Sequence, residues 1–319
     1  MPWATYRSDP VRPDRVGLVC DGAVHALPGE TRLLNLLGDD GQRLQAAARL
    51  AAEDPAEVVP LDAVHLLPPV PVPPSIRDFM AFEEHVINSH SAIGLSVDPG
   101  WYERPAFYFS NPASLRGARD DIEVPPGSTR LDYELEVAAV IGREGADLSP
   151  DAAHDHIAGF VLFCDWSARD LQAEEMKLHL GPVKGKDFAT SLGPWMVTPA
   201  ELAGRVTERA YDLRMGASVN GQRWSSGNLA DLYWSFGEMI AYASRGTRIR
   251  PGDLIGSGTV GTGCILELSG VHGDQAYPYL RAGDHVHLEV EEMGAIDATI
   301  LTGRAPIALR PGRSREKTT

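Results

Sequence analysis

The sequence has few cysteines and no long apolar run. Its three cysteines, Cys20, Cys164 and Cys264, lie far apart, are odd in number and form no C-x-x-C pair, which argues against a disulfide framework or a zinc knuckle. No stretch approaches the roughly 18 apolar residues of a membrane span, and the first residues carry charges and prolines where a signal peptide is apolar. We therefore expect a cytoplasmic protein in a reducing compartment.

Positive charge is also scarce. The chain has 29 Lys and Arg against 44 Asp and Glu, a formal net charge of −15. Because nucleic-acid backbones and anionic membranes attract basic proteins, this balance argues against both as the main partner. A small-molecule partner fits better. The length of 319 residues predicts one large domain plus a smaller one.

The N-terminal region has the pattern of a small α/β domain. Strand-like pieces at residues 16–19 and 24–27 precede a helix-spaced alanine- and leucine-rich run at 44–52. The proline cluster LLPPVPVPPS at 66–75 cannot continue a helix or a central strand, so it predicts an extended linker. We place a domain boundary near residue 72, which gives an N-terminal domain with its linker over 1–72 and a catalytic domain over 73–311. The polar residues 312–319 predict a disordered tail.

Beyond the linker, apolar and β-branched runs alternate with turn signals, which predicts an α+β fold that is mostly β. The predicted strands cover residues 107–109, 134–141, 160–164, 212–219, 264–268 and 285–290. Asn220-Gly221 predicts a two-residue hairpin, since both central positions of a type I′ turn need φ above zero. One long helix is predicted between an N-cap at Asn228 and a stop at Gly246.

Three acids interrupt strand-like stretches. Glu134 and Glu136 lie in LDYELEVAAVIG, and Asp165 ends HIAGFVLFCD. Because strand side chains alternate faces, the two glutamates point the same way about 7 Å apart. Buried carboxylates need a cation or a shared proton, and oxygen ligands favour Mg²⁺, Mn²⁺ or Ca²⁺. We interpret the three as metal ligands; the alternatives are a solvated edge strand for the glutamates and a turn or helix cap for Asp165.

The segment SIRDFMAFEEHVINSH predicts a short helix, because Asp78, Phe82 and His85 fall near one face. Seven helical residues span roughly 10 Å. One ion could not hold both Asp78 and His85, but a lid could present His85 as a general base to a substrate held at Asp78. The alternatives are a helix N-terminal acid at Asp78 and an ordinary surface or core histidine at His85.

The order of these motifs resembles the fumarylacetoacetate hydrolase family. The matching features are Asp-Phe with a histidine seven residues after the aspartate, then DYELE, DWSARDLQ, GKDF and SGT, and they cover the chain from Asp78 to about Ile300. The resemblance implies a mixed β-roll, often with a smaller N-terminal domain, and a homodimer. It also implies a divalent cation, Mg²⁺ foremost with Mn²⁺ or Ca²⁺ as alternatives, bound by Asp78, Glu134, Glu136 and Asp165.

The same resemblance implies roles for further residues. His85 matches the histidine that activates water. Five other positions match residues that contact substrate or line the metal site: Lys186, Arg169, Gln172, Thr190 and Thr259. Their alternatives are a surface salt bridge for each cation and a helix-surface amide for Gln172.

Glu267 in LELS is similar to the C–C hydrolases of the family, in which a glutamate here supports the catalytic histidine. In the acylpyruvate hydrolase and oxaloacetate decarboxylase subgroup the glutamate lies three residues after the histidine, where this chain has Asn88. The alternative for Glu267 is a strand acid facing solvent. Met80, Met176 and Gly94 stand where the founding hydrolase has two tyrosines and an arginine that hold the acetoacetate carboxylate. We therefore expect a more apolar acyl chain, or a different diketone, against Met80 and Met176.

The expected activity is metal-dependent hydrolysis of a C–C bond in a β-diketone or acylpyruvate-like substrate. His85, oriented by Glu267, would activate water, and Lys186, Arg169 and Gln172 would stabilise the oxyanion. One alternative is decarboxylation or enol–keto isomerisation of a 2-oxo acid on the same metal site, which needs no activated water. Another is a non-catalytic protein that retains the fold.

Overall fold

The computed structural model describes residues 2–9 and 11–309, so the predicted tail at 312–319 lies outside the described residues. The first sheet is built from residues 3–67, so its last strand ends where the prolines begin. Its strands are Trp3–Arg7 (β1), Arg15–Cys20 (β2), Ala23–Ala26 (β3), Glu57–Pro60 (β4) and His65–Leu67 (β5). They are antiparallel in the order β4-β3-β2-β1-β5. Helix α1, Gln42–Glu53, packs on them through Leu44, Ala47 and Ala51, which confirms the strands and helix predicted here.

The central sheet has seven strands and contains three of the predicted acids, Asp78, Glu136 and Asp165. Its strands are Ile76–Phe79 (β6), Phe107–Ser110 (β7), Leu115–Arg116 (β8), Leu135–Ile141 (β11), Ile157–Asp165 (β12), Thr190–Leu192 (β14) and Leu254–Gly256 (β17). The order is β7-β6-β17-β11-β12-β14-β8. Two of the pairings, β17 with β6 and β14 with β8, are parallel, so the sheet is mixed.

Two further sheets complete the described part of the chain. Their strands are Ile122–Glu123 (β9), Leu131–Asp132 (β10), Ser167–Ala168 (β13), Arg214–Val219 (β15), Gln222–Asn228 (β16), His285–Val290 (β18) and Gly294–Leu301 (β19). β10 pairs with β13, and the others form a sheet in the order β16-β15-β18-β19-β9. The predicted hairpin joins β15 to β16, with φ of 51° at Asn220 and 78° at Gly221.

The other described helices are Glu83–Ala92 (α2), Pro150–Ala153 (α3), Arg169–Met176 (α4), Phe236–Ser244 (α5) and Ile265–His272 (α6). The start predicted for the long helix is wrong. Asn228 caps only a 3₁₀ turn, whereas α5 begins after Ser235, whose side chain forms a capping box with Glu238. Its end is as predicted, since Gly246 follows with φ of 66°. No helix of the described residues is long and apolar enough to cross a membrane.

The two faces of the central sheet have different neighbours. One face packs in the main core against α5 and the sheet of β16, β15, β18, β19 and β9. Val137, Leu162 and Met239 are among the residues of this core. The other face is apolar at one end, where Val140 and Phe163 share a hydrophobic cluster with Trp3 of the first sheet. Glu136 and Asp165 follow the same alternation as Val140 and Phe163, so they lie on this second face at its other end. The fold is α+β and mostly β, with the N-terminal sheet covering part of the acid-bearing face.

Candidate metal centre and active site

The predicted metal ligands are brought together by strand register. Asp78 of β6 is paired with Tyr108 on one side and with Gly256 on the other, and Gly256 is paired with Ala138 of β11. Paired residues in neighbouring strands share a face, and Glu136 is two residues before Ala138. Asp78 and Glu136 therefore meet across β17, where glycine and alanine leave the space between them open.

Asp165 and Glu134 form a second row beside the first. Asp165 ends β12 and is paired with Thr190 of β14, while its amide donates to the Glu134 carbonyl at 3.3 Å. Glu134 lies just before β11 and forms an isolated bridge with Cys264. All four acids are buried, with relative exposures between 0 and 5%. The solvated edge strand considered for the glutamates is therefore wrong.

The predicted helix at Asp78 is also wrong. All four side chains of β6 are buried, and its backbone pairs with β7 and β17. A buried strand between two others satisfies the backbone hydrogen bonds of this segment, which a helix at the same place would break. The helix α2 begins only at Glu83, so Asp78 and His85 belong to different elements.

Gly256 is required by the close approach of β6. A Cβ atom built at this position would lie 2.3 Å from Oδ1 of Asp78, far inside van der Waals contact. Any side chain at 256 would therefore push the Asp78 carboxylate out of its present place.

Two buried cations neutralise part of the acid cluster. Arg169 donates to Glu134 at 2.7 Å and to Asp132 at 2.8 Å, and Lys186 donates to Asp165 at 2.6 Å and also to Glu134. Burial raises the pKa of Glu134, but the charges of Arg169 and Lys186 outweigh it and hold that pKa below its usual range. Burial lowers the pKa of Lys186, but Asp165 and Glu134 outweigh it and raise the pKa. Lys186 is thus an ammonium with no lone pair for a metal.

The remaining negative charge has no cation among the described residues. Burial and then the charge of Asp165 raise the pKa of Asp78 to about 8. Burial and then the charge of Asp78 raise the pKa of Glu136 well above its usual range. Burial raises the pKa of Asp165 to about 6, although Lys186 opposes the shift. The raised pKa values agree with the ion pairs: Lys186 contacts Asp165, and it is too little positive charge for three buried carboxylates.

The oxygens of these acids fit a missing cation. Three buried carboxylate oxygens have no hydrogen-bond partner: Oδ1 of Asp78, Oε2 of Glu136 and Oδ1 of Asp165. A buried polar atom without a partner is costly, and hard divalent cations take carboxylate oxygens as ligands. The donor set therefore suits Mg²⁺, Mn²⁺ or Ca²⁺. No three of the four acids place one oxygen each within 4.8 Å of one another in the described chain, so binding an ion would draw the carboxylates closer together.

We expect Mg²⁺ binding to release protons near neutral pH. Asp78, with a pKa of about 8, is mostly protonated at pH 7, and Asp165, with a pKa of about 6, is partly protonated at pH 6. Because the ion needs the carboxylates, its affinity should rise with pH by about tenfold per unit for each proton displaced. Titration calorimetry at pH 6, 7 and 8, in buffers of different ionisation enthalpy, measures both affinity and proton release. An affinity that does not change with pH would contradict this expectation.

The helix α2 brings His85 to the cluster. Nδ1 of His85 is 2.7 Å from Oε1 of Glu267, and both side chains are buried. Nε2 of His85 makes no hydrogen bond to a described residue, and His85 is close enough to Glu134 to contribute to its lowered pKa, after burial, Arg169 and Lys186. The solvent-facing alternative for Glu267 is therefore wrong, as is the surface alternative for His85.

Glu267 is itself held firmly. Its Oε2 accepts from the side-chain amide of Asn88 at 3.1 Å and from the backbone N–H of Thr262 at 2.9 Å. The strand predicted over 264–268 is wrong, since Ile265–His272 is a helix. Oδ1 and Oδ2 of Asp132 accept from the backbone N–H groups of Ile265 and Leu266 and so satisfy its first turn.

Sequence reasoning missed Asp132 and Tyr108. Asp132 joins Arg169 to the start of α6, so it links the acid cluster to the helix that carries Glu267. Alternation could have found it, because Asp132 precedes Glu134 by two residues. Tyr108 donates its hydroxyl hydrogen to Asp165. Its strand was predicted, but only the pairing of β6 with β7 brings Tyr108 beside the acids.

The other predicted site residues occupy several positions around the cluster. Thr259 donates to Oε1 of Glu136 at 3.2 Å, and Gln172 accepts from Arg169 at 3.1 Å. Both cations are buried in ion pairs, so the surface salt bridges considered for them are wrong. Met80 is partly buried after β6, whereas Met176 is 49% exposed at the end of α4.

The arrangement can therefore do two things chemically. Four acids offer oxygens to a hard cation, with Lys186 and Arg169 beside them. A histidine whose Nδ1 is held by a buried glutamate keeps Nε2 free to accept a proton from water, which is the base-plus-orienter arrangement of catalytic triads.

The chain is similar in sequence to several known enzymes. The chain is 33% identical over 253 residues to a 2,4-didehydro-3-deoxy-L-rhamnonate hydrolase of Sphingomonas sp. strain SKA58, covering 77% of this chain and 81% of that protein. It is 29% identical over 261 residues to a mitochondrial oxaloacetate tautomerase of Homo sapiens, covering 81% and 76%. The match to fumarylacetoacetase of Arabidopsis thaliana is 32% identical over 221 residues, 54% of this chain, and spans only 52% of the plant protein.

The fold also matches solved structures. A fumarylacetoacetate hydrolase from psychrophilic Exiguobacterium antarcticum superposes with a TM-score of 0.70 at 25% identity, covering 95% of this chain and all of the other. The family model described as fumarylacetoacetate (FAA) hydrolase C-terminal matches residues 75–301, which includes the four acids, both cations and the His85–Glu267 pair. This chain is therefore a member of the fumarylacetoacetate hydrolase family.

Proposed function

We propose that this protein is a metal-dependent hydrolase of a C–C bond in a β-diketone or acylpyruvate-like substrate. The observation that supports the proposal most strongly is the buried pairing of His85 with Glu267 at 2.7 Å, beside four acids of which three have an oxygen without a hydrogen-bond partner. The pairing is of the kind found in the C–C hydrolases of the family, and Asn88 stands where the other subgroup has its glutamate. We place the chain with the C–C hydrolases for this reason.

The residues proposed to hold the cation are Asp78, Glu134, Glu136 and Asp165, with Mg²⁺ as the preferred ion. When bound, a divalent ion polarises a carbonyl and stabilises negative charge on its oxygen. Thr190, paired with Asp165, and Thr259, bonded to Glu136, would border the ion. Lys186 forms ion pairs with Asp165 and Glu134, and its positive charge would keep both carboxylates ionised.

His85 would take the proton of the attacking water on Nε2. Glu267 accepts the Nδ1–H and fixes that tautomer, and it stabilises the imidazolium that forms. Asn88 and the Thr262 N–H keep Glu267 in place. The same imidazolium would return the proton to the carbon of the departing enolate, so water supplies both the hydroxyl and the hydrogen of the products.

Arg169 and Lys186 would supply positive charge near the developing oxyanion. Removing one such donor in other enzymes costs about 3–4 kcal/mol of transition-state stabilisation. Each is also bonded to the acids, so each would act on substrate without leaving its ion pair. Gln172, held by Arg169, would add a side-chain amide on the same side.

The substrate is proposed to carry an apolar acyl group. A cavity of about 240 Å³ lies beside α2 and is bordered by Met80, Val86, Trp101 and Ala106 among others. Met80 borders the cavity and is two residues after Asp78. A substrate whose carbonyl oxygen is bound at the acid cluster would therefore extend its acyl group past Met80 into the cavity. The polar lining of the cavity is His90, Asp98 and Arg104, so an acidic chain would meet a carboxylate beside the guanidinium and the imidazole. On the far side, the exposed Met176 would close over the substrate.

A second candidate is enol–keto tautomerisation or decarboxylation of a 2-oxo acid on the same acids. The relative that favours it is the human oxaloacetate tautomerase, and the match to that protein covers 81% of the present chain. Neither reaction needs an activated water. The two proposals therefore differ in whether His85 is indispensable.

The test is a substrate panel on the purified protein after thorough chelation and after each metal is restored. The panel contains acylpyruvates and β-diketones with acyl chains of two to about eight carbons, matched chains ending in a carboxylate, and oxaloacetate. We expect hydrolysis that requires Mg²⁺ or Mn²⁺ and favours the apolar chains. Activity that survives chelation would overturn the mechanism, and turnover of oxaloacetate alone would favour the second candidate.

Family members usually form homodimers, and we propose that this protein is also a homodimer. We propose that it acts in the cytoplasm.

A further inference from the structure

Cys264 lies against the His85–Glu267 pair. Its Sγ donates to Oε1 of Glu267 at 3.5 Å, and Oε1 is 2.7 Å from Nδ1 of His85. One ligand atom from each of the three residues lies within 4.8 Å of the others, and all three side chains are buried. No other group of three or more His, Cys, Asp or Glu residues in the described chain is so compact.

The chemistry of this group differs from that of the acid cluster. A thiolate and an imidazole are softer ligands than carboxylates and favour Zn²⁺ or Cd²⁺ over Mg²⁺. Tetrahedral zinc with sulfur, nitrogen and oxygen ligands holds these atoms about 3.3–3.6 Å apart. The Sγ–Oε1 separation of 3.5 Å already matches. The Nδ1–Oε1 separation would have to lengthen by roughly 0.6 Å from its 2.7 Å.

The surroundings would hold such a site in shape. Asn88 and the Thr262 N–H bind Oε2 of Glu267, so its orientation is fixed and Oε1 is turned toward Sγ and Nδ1. Outer hydrogen bonds of this kind orient metal ligands and strengthen binding. Cys264 and Glu267 lie at the start of α6, and His85 lies on α2, which packs against α6. A small movement of α2 would change the distances among the three ligands.

We propose that His85, Cys264 and Glu267 form an inhibitory site for a thiophilic divalent cation, with Zn²⁺ as the ion. Binding converts the thiol to a thiolate and releases its proton to solvent. The Nδ1 lone pair of His85 goes to the ion, the ring hydrogen moves to Nε2, and a water completes the coordination. With Nε2 protonated, His85 can no longer take a proton from water. The inhibitory consequence rests on the proposed function; the metal site itself does not.

The site is tested first without any assay of activity. Mg²⁺-saturated protein carrying Cys20→Ser, which removes the partly exposed thiol, is titrated with Cd²⁺ and followed by thiolate-to-metal absorption in the near ultraviolet. We expect one equivalent to give the band, and Cys264→Ser in the same background to abolish it. An equally strong band in the Cys264→Ser protein would overturn the proposal, because the sulfur would then come from Cys164.

The inhibitory consequence is tested with Zn²⁺ on the Mg²⁺-loaded enzyme. We expect the concentration for half inhibition to rise at least about tenfold in Cys264→Ser, while Cys20→Ser behaves like the natural chain. Equal inhibition of both variants would overturn the inhibitory role. A Cd²⁺ band that depends on Cys264, together with full hydrolysis in its presence, would keep the metal site and contradict His85 as the base. The two proposals can thus fail separately.

Discussion

Replacing His85 with alanine should lower the rate of hydrolysis by a factor of about 10² to 10⁴, the usual contribution of a general base. Affinity for Mg²⁺ should hardly change, because Asp78, Glu136 and Asp165 lie on strands, and Glu134 keeps its ion pairs with Arg169 and Lys186. Steady-state kinetics and Mg²⁺ calorimetry on the same preparations measure the two quantities. Glu267→Gln should give a loss of similar size, because Asn88 and Thr262 hold the amide oxygen at the position of Oε2. The amide nitrogen then donates to Nδ1 of His85 and leaves the ring hydrogen on Nε2.

The matched control is His272→Ala at the end of α6. The His272 side chain is exposed and contacts the ring of Tyr277, and it takes no part in the acid cluster or the Glu267 pair, so this variant should keep most of the activity. If His85→Ala also kept substantial turnover, water activation would not be the rate-determining task of this site. That result would favour the tautomerase or decarboxylase.

Gly256→Ala should remove most Mg²⁺ binding and activity, although no proposed ligand is changed. The new methyl group would lie 2.3 Å from Oδ1 of Asp78, so the carboxylate or its strand must shift. A misplacement of about 1 Å at a catalytic group can cost about 10²-fold in rate. We expect kcat/KM to fall by at least that factor and Mg²⁺ affinity to fall with it. Calorimetry and kinetics at saturating Mg²⁺ separate these effects.

Gly204→Ala provides the matched control, because a Cβ there meets nothing within 4 Å and the backbone angle is ordinary for any residue. This variant should bind Mg²⁺ like the natural chain. Thermal unfolding of both variants without metal distinguishes a displaced ligand from a damaged fold. Normal Mg²⁺ affinity in Gly256→Ala would show that Asp78 is not a ligand, or that the strands adjust freely around the methyl group.

Some features could be predicted from neighbouring residues alone. The Asn220-Gly221 turn needs two positive φ angles, and the sequence supplies residues that tolerate them. The acids at Glu134, Glu136 and Asp165 could be recognised because each stands in an apolar strand where an unpartnered charge is costly. The family resemblance was confirmed over residues 75–301. The roles of the individual site residues, and the domain boundary near residue 72, stay predictions.

Other features depended on contacts between distant segments. Asp78 has helical spacing with His85, but pairing of β6 with β7 and β17 makes it a strand residue. The segment after Cys264 has the composition of a strand, yet Asp132, more than a hundred residues earlier, accepts its first two amide hydrogens and starts a helix. Local propensity is weak beside such bonds, because a buried backbone group must find a partner wherever the chain offers one.

The sequence by itself determined that this chain holds a buried group of acids, a histidine that could act as a base, and a mostly β domain to carry them. Only the tertiary structure decided how they meet. Strand register aligns Tyr108, Asp78, Gly256 and Ala138 in one row, and the N-terminal sheet covers the apolar end of the same face. Register is a property of pairs of strands, so no single segment can specify it. Likewise, glycine is needed at position 256 only because the Asp78 carboxylate lies against it in the folded protein.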